Sequence, residues 1–265
     1  MEKSKINSFA KRLISAVVLI PVVVGCVMYG YTSMYLLAML GAALLSWEWA
    51  TMVPNKRSPF YAVTYFFIAV TAILLGSFEG WIGSMVAALA LVFLRTGDEK
   101  HRWLLLLGIP YISIGIWALV EIYTLYGAQM VLWFLFLVWG VDIGGYVFGC
   151  TLKGPKLAPK ISPNKTWAGL FGGMILAMAV SYGVCWYFGA ADWSIFKFYL
   201  VMAAILAVIA QIGDLVESAI KRHLGLKDSS NLIPGHGGFF DRVDGLIFAA
   251  PFAVLMLRNL VLFAN

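Results

Sequence analysis

The stretch that decides the fold runs from Ser218 to Gly245 and reads SAIKRHLGLKDSSNLIPGHGGFFDRVDG. It is rich in charge, and an apolar segment flanks it on each side. Its cationic and acidic side chains are Lys221, Arg222, Lys227 and Arg242, and Asp228, Asp241 and Asp244. Charged side chains beside a bilayer are costly unless they face water or a polar site. The stretch therefore predicts a polar functional loop between two membrane helices.

The composition of the whole chain predicts a membrane protein. Of its 265 residues, 62% are hydrophobic and 12% are charged, whereas soluble domains carry about 25% charged residues. Apolar runs of about 18 residues or more recur along the chain and are typical of transmembrane helices. The net charge is +6, but no basic stripe with interleaved aromatic residues is present, so we expect no nucleic-acid partner. The predicted fold class is all-α, in a polytopic integral membrane protein.

The hydropathy pattern predicts about nine spans, at 12–30, 32–52, 59–78, 80–95, 103–124, 127–149, 167–189, 197–220 and 244–264. With the N-terminus in the cytosol, 17 of the 19 lysines and arginines fall in cytosolic segments. This bias follows the positive-inside rule and predicts a cytosolic N-terminus and a C-terminus outside. We divide the chain into five N-terminal spans, 1–125, and a catalytic region of four spans with cytosolic motif loops, 126–265.

One cytosolic segment, Lys153–Gly169, precedes the seventh predicted span and reads KGPKLAPKISPNKTWAG. Its three prolines oppose a regular helix and favour extended backbone. Lys165 and Thr166 stand just before the span, where free N–H groups and the helix dipole add to the charge of a lysine and favour phosphate. A cytosolic basic loop that ends in a capping threonine explains the same residues equally well.

The eighth predicted span carries polar residues along one side. Asp214, Glu217, Ser218, Lys221 and Arg222 follow one another at spacings that place them on one helical stripe. A carboxylate at Asp214 lies inside the span, where it is expensive unless it faces a polar cavity or a cation. The stripe therefore predicts a polar site that opens toward the cytosol.

Two further carboxylates, Asp241 and Asp244, begin the last span three residues apart. They repel each other unless a cation lies between them, and oxygen ligands of this kind suit Mg²⁺. His236 lies in a Pro-Gly-His-Gly-Gly turn whose glycines allow the backbone to approach a ligand closely. Asp142, in the sixth span, is a candidate for a further wall of the site. Surface ion pairs and an ordinary turn are the alternative explanation of these residues.

Two other acidic residues within predicted spans are interpreted as structural. Glu48 lies near the cytosolic end of its span, where its side chain can extend to water, and Glu121 lies near the outer end of its span. The remaining cations, carboxylates and glycines describe a site for a phosphorylated substrate with Mg²⁺. Its place at the membrane surface predicts phosphoryl or nucleotidyl transfer between a water-soluble nucleotide and a lipid headgroup.

These residues resemble the signature of the phosphatidate cytidylyltransferases, also called CDP-diacylglycerol synthases. The resemblance lies in Ser218-Ala-Ile-Lys221-Arg222, in Lys227-Asp228, and in Leu232-Ile-Pro-Gly-His236-Gly-Gly-Phe-Phe-Asp241-Arg242-Val-Asp244. Ser162-Pro-Asn-Lys165-Thr166-Trp167 resembles a second family motif, and Asp142 with Tyr146 a third. The resemblance covers about 135–250. Ala168 departs from it, because the family often has Glu or Gln there.

The resemblance implies that CTP and phosphatidate react to give CDP-diacylglycerol and pyrophosphate at an inner bacterial membrane, with the site facing the cytosol. It implies a two-cation site on Asp214, Asp241 and Asp244, with Mg²⁺ and a second ion such as K⁺. Lys221 joins these carboxylates as a catalytic residue. Substrate-binding residues would be Lys165, Ser218, Arg222, Lys227, His236, Arg242 and Asp142. Membrane lipids are expected partners, and a homodimer is left open.

Two other functional classes compete with this interpretation. Asp142 and Asp214 could form a proton or cation path in a transporter or ion-coupled channel, although the polar groups gather on one membrane face without a matching outer cluster. A lipid kinase would use similar phosphate chemistry. Release of pyrophosphate separates a cytidylyltransferase from a kinase, and substrate flux without CTP would favour the transporter.

Overall fold

The computed structural model describes residues 17–75, 78–96, 100–187, 193–233 and 237–263, with the backbone alone at 78–80, 193–195 and 260–263. Most of these residues are helical. The helices are α1 Val17–Tyr29, α2 Tyr31–Met52, α3 Ser58–Leu74, α4 Phe78–Thr96, α5 Arg102–Thr151, α6 Trp167–Tyr187, α7 Trp193–His223 and α8 Phe240–Phe263. Strands β1 Lys156–Ala158 and β2 Ser162–Thr166 form one hairpin between α5 and α6. The predicted all-α class is confirmed, with this small hairpin added.

Each predicted span overlaps a helical segment, and two glycines set boundaries between neighbouring spans. Gly127 interrupts α5 with φ of 80° and ψ of −179°, at the predicted junction of the fifth and sixth spans. Gly30, with φ of 136°, separates α1 from α2. This break is confined to Gly30, because α2 begins at Tyr31, and the Ser33 hydroxyl donates back across it to the Cys26 carbonyl oxygen at 2.6 Å.

Length, composition and exposure identify a membrane protein. Within the part of the chain that the structure describes, three helical segments are long and apolar enough to cross a bilayer: Arg102–Thr151, Trp167–Tyr187 and Phe196–His223. Shorter apolar helices lie at Val17–Tyr29, Ser58–Leu74 and Trp81–Thr96. Large apolar side chains are exposed on many of the helices, among them Leu36, Phe67, Ile143, Phe171 and Leu255. An apolar surface of this extent suits lipid and not water.

The chain divides into two compact units. Unit 1 comprises Met1–Val120 and Leu224–Val243, and unit 2 comprises Glu121–His223 and Asp244–Asn265. The charged stretch quoted above is therefore shared between them. Its segment Leu224–Val243 groups with the N-terminal helices, although it lies within the region 126–265 that the sequence analysis treats as catalytic.

The core of unit 1 forms where α5 packs closely against α2 and α3. The indole N–H of Trp49 donates to the Leu104 carbonyl oxygen at 3.0 Å. The Tyr65 hydroxyl donates to the Leu105 carbonyl oxygen at 2.7 Å. Gly108 permits this approach, because a Cβ there would lie 2.6 Å from the Trp49 Nε1 atom. Glu48 also belongs to this core, with an exposed fraction of 0%. The expectation that its side chain reaches water is therefore wrong.

In unit 2, the proline-rich segment is extended as predicted. Strands β1 and β2 are antiparallel, with Lys156 opposite Thr166 and Ala158 opposite Ser162. Pro163 is tolerated within β2, because both strands of a two-stranded sheet are edge strands. The Thr166 hydroxyl accepts the Gly169 N–H at 3.0 Å and caps the start of α6. The hairpin therefore delivers Lys165 to the N-terminal end of this helix.

The helices α5 and α6 meet backbone to backbone in unit 2. A Cβ on Gly144 would lie 2.6 Å from the Gly172 carbonyl oxygen, and one on Gly173 would lie 2.8 Å from that of Val141. Only glycine allows such short separations, and small residues are typical of close helix crossings in membranes. Gly144, two residues after Asp142, therefore admits α6 at close range.

This crossing predicts a difference between two glycines of α6. Gly173→Ala should destabilise the protein, because the added methyl group must displace backbone at Val141, whereas a Cβ on Gly183 would meet nothing within 4 Å. At about 1–3 kcal/mol for overpacking, we expect a melting temperature about 2–12 °C lower in detergent. Gly183→Ala, the control, should melt at or above the wild-type temperature. Equal melting temperatures for the two variants would contradict the proposed crossing.

Candidate active site

The site in unit 2 is built on a close approach of α7 and α8. A Cβ on Gly213 would lie 2.5 Å from the Phe248 Cβ atom and 3.2 Å from the Asp244 carbonyl oxygen. A Cβ on Gly245 would lie 3.0 Å from the Ala210 carbonyl oxygen. Each glycine has an aspartate beside it in the chain, at Asp214 and Asp244. The contact that brings the two backbones together therefore also brings together their acidic neighbours.

Three carboxylates converge at this contact. Asp214 and Glu217 of α7 and Asp244 of α8 each offer an oxygen, and these oxygens lie within 4.8 Å of one another. Asp214 and Asp244 are partly exposed, whereas Glu217 is only 1% exposed. Carboxylates this close repel one another strongly unless cations lie among them.

Two lysines balance part of this charge. The Lys165 ammonium forms a salt bridge with Asp214, and the Lys221 ammonium lies 2.8 Å from Glu217 one helical turn away. Lys221 is itself buried, with 8% of its surface exposed. The Ser218 hydroxyl donates to Asp214 at 3.4 Å. The sequence-predicted residues Asp214, Ser218 and Lys165 thus lie together.

The donor set of this cluster fits a divalent cation. All three candidate ligands supply carboxylate oxygen, which Mg²⁺ prefers, and they come from two helices held at a fixed distance. With three negative charges and two neighbouring ammonium groups, one divalent ion would leave the group slightly cationic. Such a group attracts phosphate, so the arrangement can bind a metal ion and a phosphorylated ligand together.

Unit 2 holds two other predicted residues, Asp142 and Arg222. Asp142 is exposed on α5, and its charge and that of Lys165 both act on the Asp244 carboxylate. Arg222 is exposed at the end of α7, where its Nε–H donates to the Ile161 carbonyl oxygen at 3.4 Å. Arg222 therefore joins the hairpin to α7 and stabilises the position from which Lys165 reaches Asp214.

The remaining predicted residues belong to unit 1. The Asp241 carboxylate accepts the Gly238 N–H at 2.8 Å and the Ser229 N–H at 3.1 Å, so it holds the backbone of its own loop. Lys227 and Arg242 are exposed. His236 lies outside the described residues.

Sequence reasoning missed Glu217 as a member of the acidic cluster. It stands on the predicted stripe one turn from Asp214, and that spacing was the available signal. Its neighbour Lys221 lies one further turn along and suggests an ordinary ion pair within a helix. The position of Asp244 against α7, which makes Glu217 part of a cluster, depends on tertiary packing.

The chain is similar to known proteins along nearly its whole length. Residues 10–260 match the cytidylyltransferase family. A phosphatidate cytidylyltransferase of Brucella suis biovar 1 (strain 1330) is 33% identical over 253 residues, which cover 92% of this chain and 91% of the relative.

Two further relatives carry the same name. One, from Haemophilus influenzae (strain ATCC 51907 / DSM 11121 / KW20 / Rd), is 32% identical over 280 residues, covering 91% of this chain and 96% of the relative. The other, from Staphylococcus haemolyticus (strain JCSC1435), is 29% identical over 259 residues, which cover 93% of this chain and 98% of the relative. The chain belongs to the cytidylyltransferase family.

Proposed function

We propose that this protein is a phosphatidate cytidylyltransferase, which transfers CMP from CTP to phosphatidate and forms CDP-diacylglycerol and pyrophosphate. The observation that carries the proposal is the cluster of Asp214, Glu217 and Asp244 with its two lysines. The named activity of relatives that align along nearly the whole chain supports the same substrates. Its product serves phospholipid biosynthesis.

The reaction joins two anions. The second pKa of a phosphate monoester is about 6, so the phosphatidate headgroup is largely a dianion at neutral pH and needs no general base. One of its oxygens forms a bond to the α-phosphorus of CTP, the bond from that phosphorus to the bridging oxygen breaks, and pyrophosphate leaves. The obstacle is repulsion between the reactants, so catalysis consists of positioning and charge neutralisation.

Residues of unit 2 meet this need. Lys165 and Lys221 each pair with a carboxylate of the cluster. Each ammonium group can bind a phosphate oxygen in place of that carboxylate or in addition to it. Ser218 and Asp142 contribute polar contacts at the edge of the cluster. In this proposal Lys221 neutralises charge on the reacting phosphates, and Lys165 and Arg222 bind phosphate oxygens.

The metal would be Mg²⁺, held by Asp214, Glu217 and Asp244. When bound, it would neutralise charge on the triphosphate of CTP. Asp241 is a metal ligand only by family resemblance, and its contacts with backbone N–H groups give it a separate role in the loop. A second cation such as K⁺ is likewise implied by the resemblance. Lys227, His236 and Arg242 stay predicted phosphate or positioning contacts.

The function predicts that Asp244→Asn abolishes turnover. In liposomes that contain phosphatidate, the wild-type enzyme should convert radiolabelled CTP to lipid-bound label and pyrophosphate only when Mg²⁺ is present. Asp244→Asn should lower this rate about a hundredfold or more, because the cluster loses a charged ligand. Glu121→Gln is the matched control, since Glu121 pairs with Arg258 outside the cluster, and it should keep the wild-type rate.

Two results would contradict the proposal. A folded Asp244→Asn enzyme with the wild-type rate in Mg²⁺ buffer would exclude the metal role. Transfer of phosphate without pyrophosphate release would indicate a lipid kinase, and lipid or ion flux without CTP would indicate a transporter.

The proposal includes an orientation in a bacterial inner membrane. Nine spans, with the N-terminus in the cytosol and the C-terminus outside, would place the motif segments on the cytosolic side, where CTP is available. The distribution of lysines and arginines supports this orientation. Membrane lipids would surround the helices.

The orientation predicts the behaviour of terminal reporters. Alkaline phosphatase, which is active only outside the cytosol, should be active when fused after Asn265. Green fluorescent protein fused after Asn265 should be dark, because it does not become fluorescent when it is exported unfolded. The same protein fused after Lys160, which the proposal places in the cytosol, should fluoresce. A fluorescent C-terminal fusion with inactive phosphatase would contradict an odd number of spans.

A further inference from the structure

Glu48 of α2 is fully buried in unit 1, although it is ionisable and lies in a hydrophobic helix. A buried carboxylate is costly unless it is well hydrogen-bonded. Among the described residues, the hydrogen-bond donors to the Glu48 carboxylate come from the segment Ser229–Phe240, more than 180 residues further along the chain. Its burial therefore marks a long-range connection between an N-terminal helix and the segment 224–239 between α7 and α8, which we call the signature loop.

Four donors surround this carboxylate. The Phe239 N–H lies 2.8 Å from Oε1, and the Phe240 N–H lies 2.5 Å from Oε2. The Ser230 hydroxyl donates to Oε1, and the Ser229 hydroxyl lies 3.4 Å from Oε2. Because the two N–H groups begin α8, the negative charge also interacts favourably with the helix dipole. An ionised carboxylate satisfies all four donors, and it binds both ends of the loop.

The next residue on α2 reinforces this connection. The Trp49 ring packs edge-on against Phe240, with ring centroids 5.5 Å apart, and Tyr111 packs against the same phenylalanine at 5.6 Å. Phe240 is 1% exposed. The first residue of α8 is thus fixed through its N–H group by Glu48 and through its ring by Trp49 and Tyr111.

The loop packs closely against Glu48 at Gly238. A Cβ on Gly238 would lie 1.8 Å from the Ser229 Oγ atom and 2.7 Å from the Glu48 Oε1 atom. A side chain at position 238 would therefore push the loop away from α2. Asp241 holds the same two loop segments from the other end through the Ser229 and Gly238 N–H groups. The carboxylates of Glu48 and Asp241 together fix the loop backbone on both sides of residues 234–236.

We propose that Glu48 is a positioning residue of this enzyme, which fixes the signature loop and thereby sets the affinity for the phosphates of CTP. The proposal rests on the proposed function, because that function gives Lys227 of this loop and Arg242, near the start of α8, their phosphate-binding roles. Glu48 does not touch substrate. It acts by holding the loop and the first residue of α8 in one conformation, and so fixes the backbone on which these two cations lie. This gives the N-terminal helices a role in the reaction.

The test compares Glu48→Gln with wild type in two measurements. Gln keeps the size of the side chain but replaces one acceptor by a donor, which then opposes an N–H group or a hydroxyl. Hydrogen exchange in nanodiscs should show faster exchange in peptides from 224–243, with no change in peptides from α6. The KM for CTP should rise about tenfold or more, as expected for a buried hydrogen-bond mismatch, while kcat falls less.

Two further variants separate positioning from general damage. Glu121→Gln makes the same chemical change at an acid outside the loop and should keep both the exchange pattern and the KM. Ser230→Ala removes one donor to Glu48 and leaves the carboxylate in place, so it should raise the KM for CTP by a smaller factor. If Glu48→Gln does not fold, Ser230→Ala with the same two measurements decides the question.

Each outcome is informative. Faster loop exchange with a raised KM supports the proposal. An unchanged KM in an active, folded Glu48→Gln enzyme overturns it, whatever the exchange pattern, and so does unchanged loop exchange. A wild-type protein that forms no pyrophosphate from CTP and phosphatidate would refute the proposed function instead. The exchange data would then still decide whether Glu48 holds the loop, and unchanged exchange would overturn that part as well.

Discussion

The close approach of α7 and α8 at Gly213 and Gly245 is the constraint on which the acidic site of unit 2 depends. Neither position has room for a Cβ without displacing a neighbour, so the two backbones lie nearly in contact. Asp214 and Asp244, one residue away from these glycines, are thereby placed together with Glu217. A larger separation would allow each carboxylate to find its own solvation, and no shared cation would be required.

The charge balance of the cluster follows from this packing. Three carboxylates at this spacing create a strongly negative field, which Lys165 and Lys221 neutralise only in part. A divalent cation would complete the balance and make the site attractive to phosphate. In the proposed reaction the same balance solves the main chemical problem, because phosphatidate and CTP repel each other until cations lie between them.

Local sequence features predicted much of the fold. Apolar runs located the helices, the boundary predicted between the fifth and sixth spans coincides with the break at Gly127, and prolines predicted the extended segment before α6. The polar stripe of α7 predicted that Asp214 faces a polar cavity or a cation, and its salt bridge with Lys165 agrees with the second alternative. These successes share one cause, since each depends on periodicity or on backbone restrictions within a short segment.

Features that depend on contacts between distant segments were not predictable in the same way. The sequence placed Glu217 on the polar stripe of α7, but its membership of a cluster depends on α8 bringing Asp244 beside it. Glu48 was expected to extend to water, yet it is buried against N–H groups nearly 200 residues further along the chain. Asp241, predicted as a metal ligand beside Asp244, accepts the N–H groups of Ser229 and Gly238 in the loop before α8, contacts that its sequence position alone does not predict. Asp241 and Asp244, three residues apart at the start of α8, thus have different neighbours: loop N–H groups for Asp241, and the carboxylates of α7 for Asp244.

The most direct test of the metal site is a titration of purified enzyme in detergent with Mn²⁺, a paramagnetic substitute for Mg²⁺, followed by electron paramagnetic resonance. Asp214→Asn, Glu217→Gln and Asp244→Asn should each weaken Mn²⁺ binding by about tenfold or more, while Asp241→Asn should weaken it less. Wild-type Mn²⁺ affinity in Glu217→Gln, together with loss of binding in Asp241→Asn, would contradict the account.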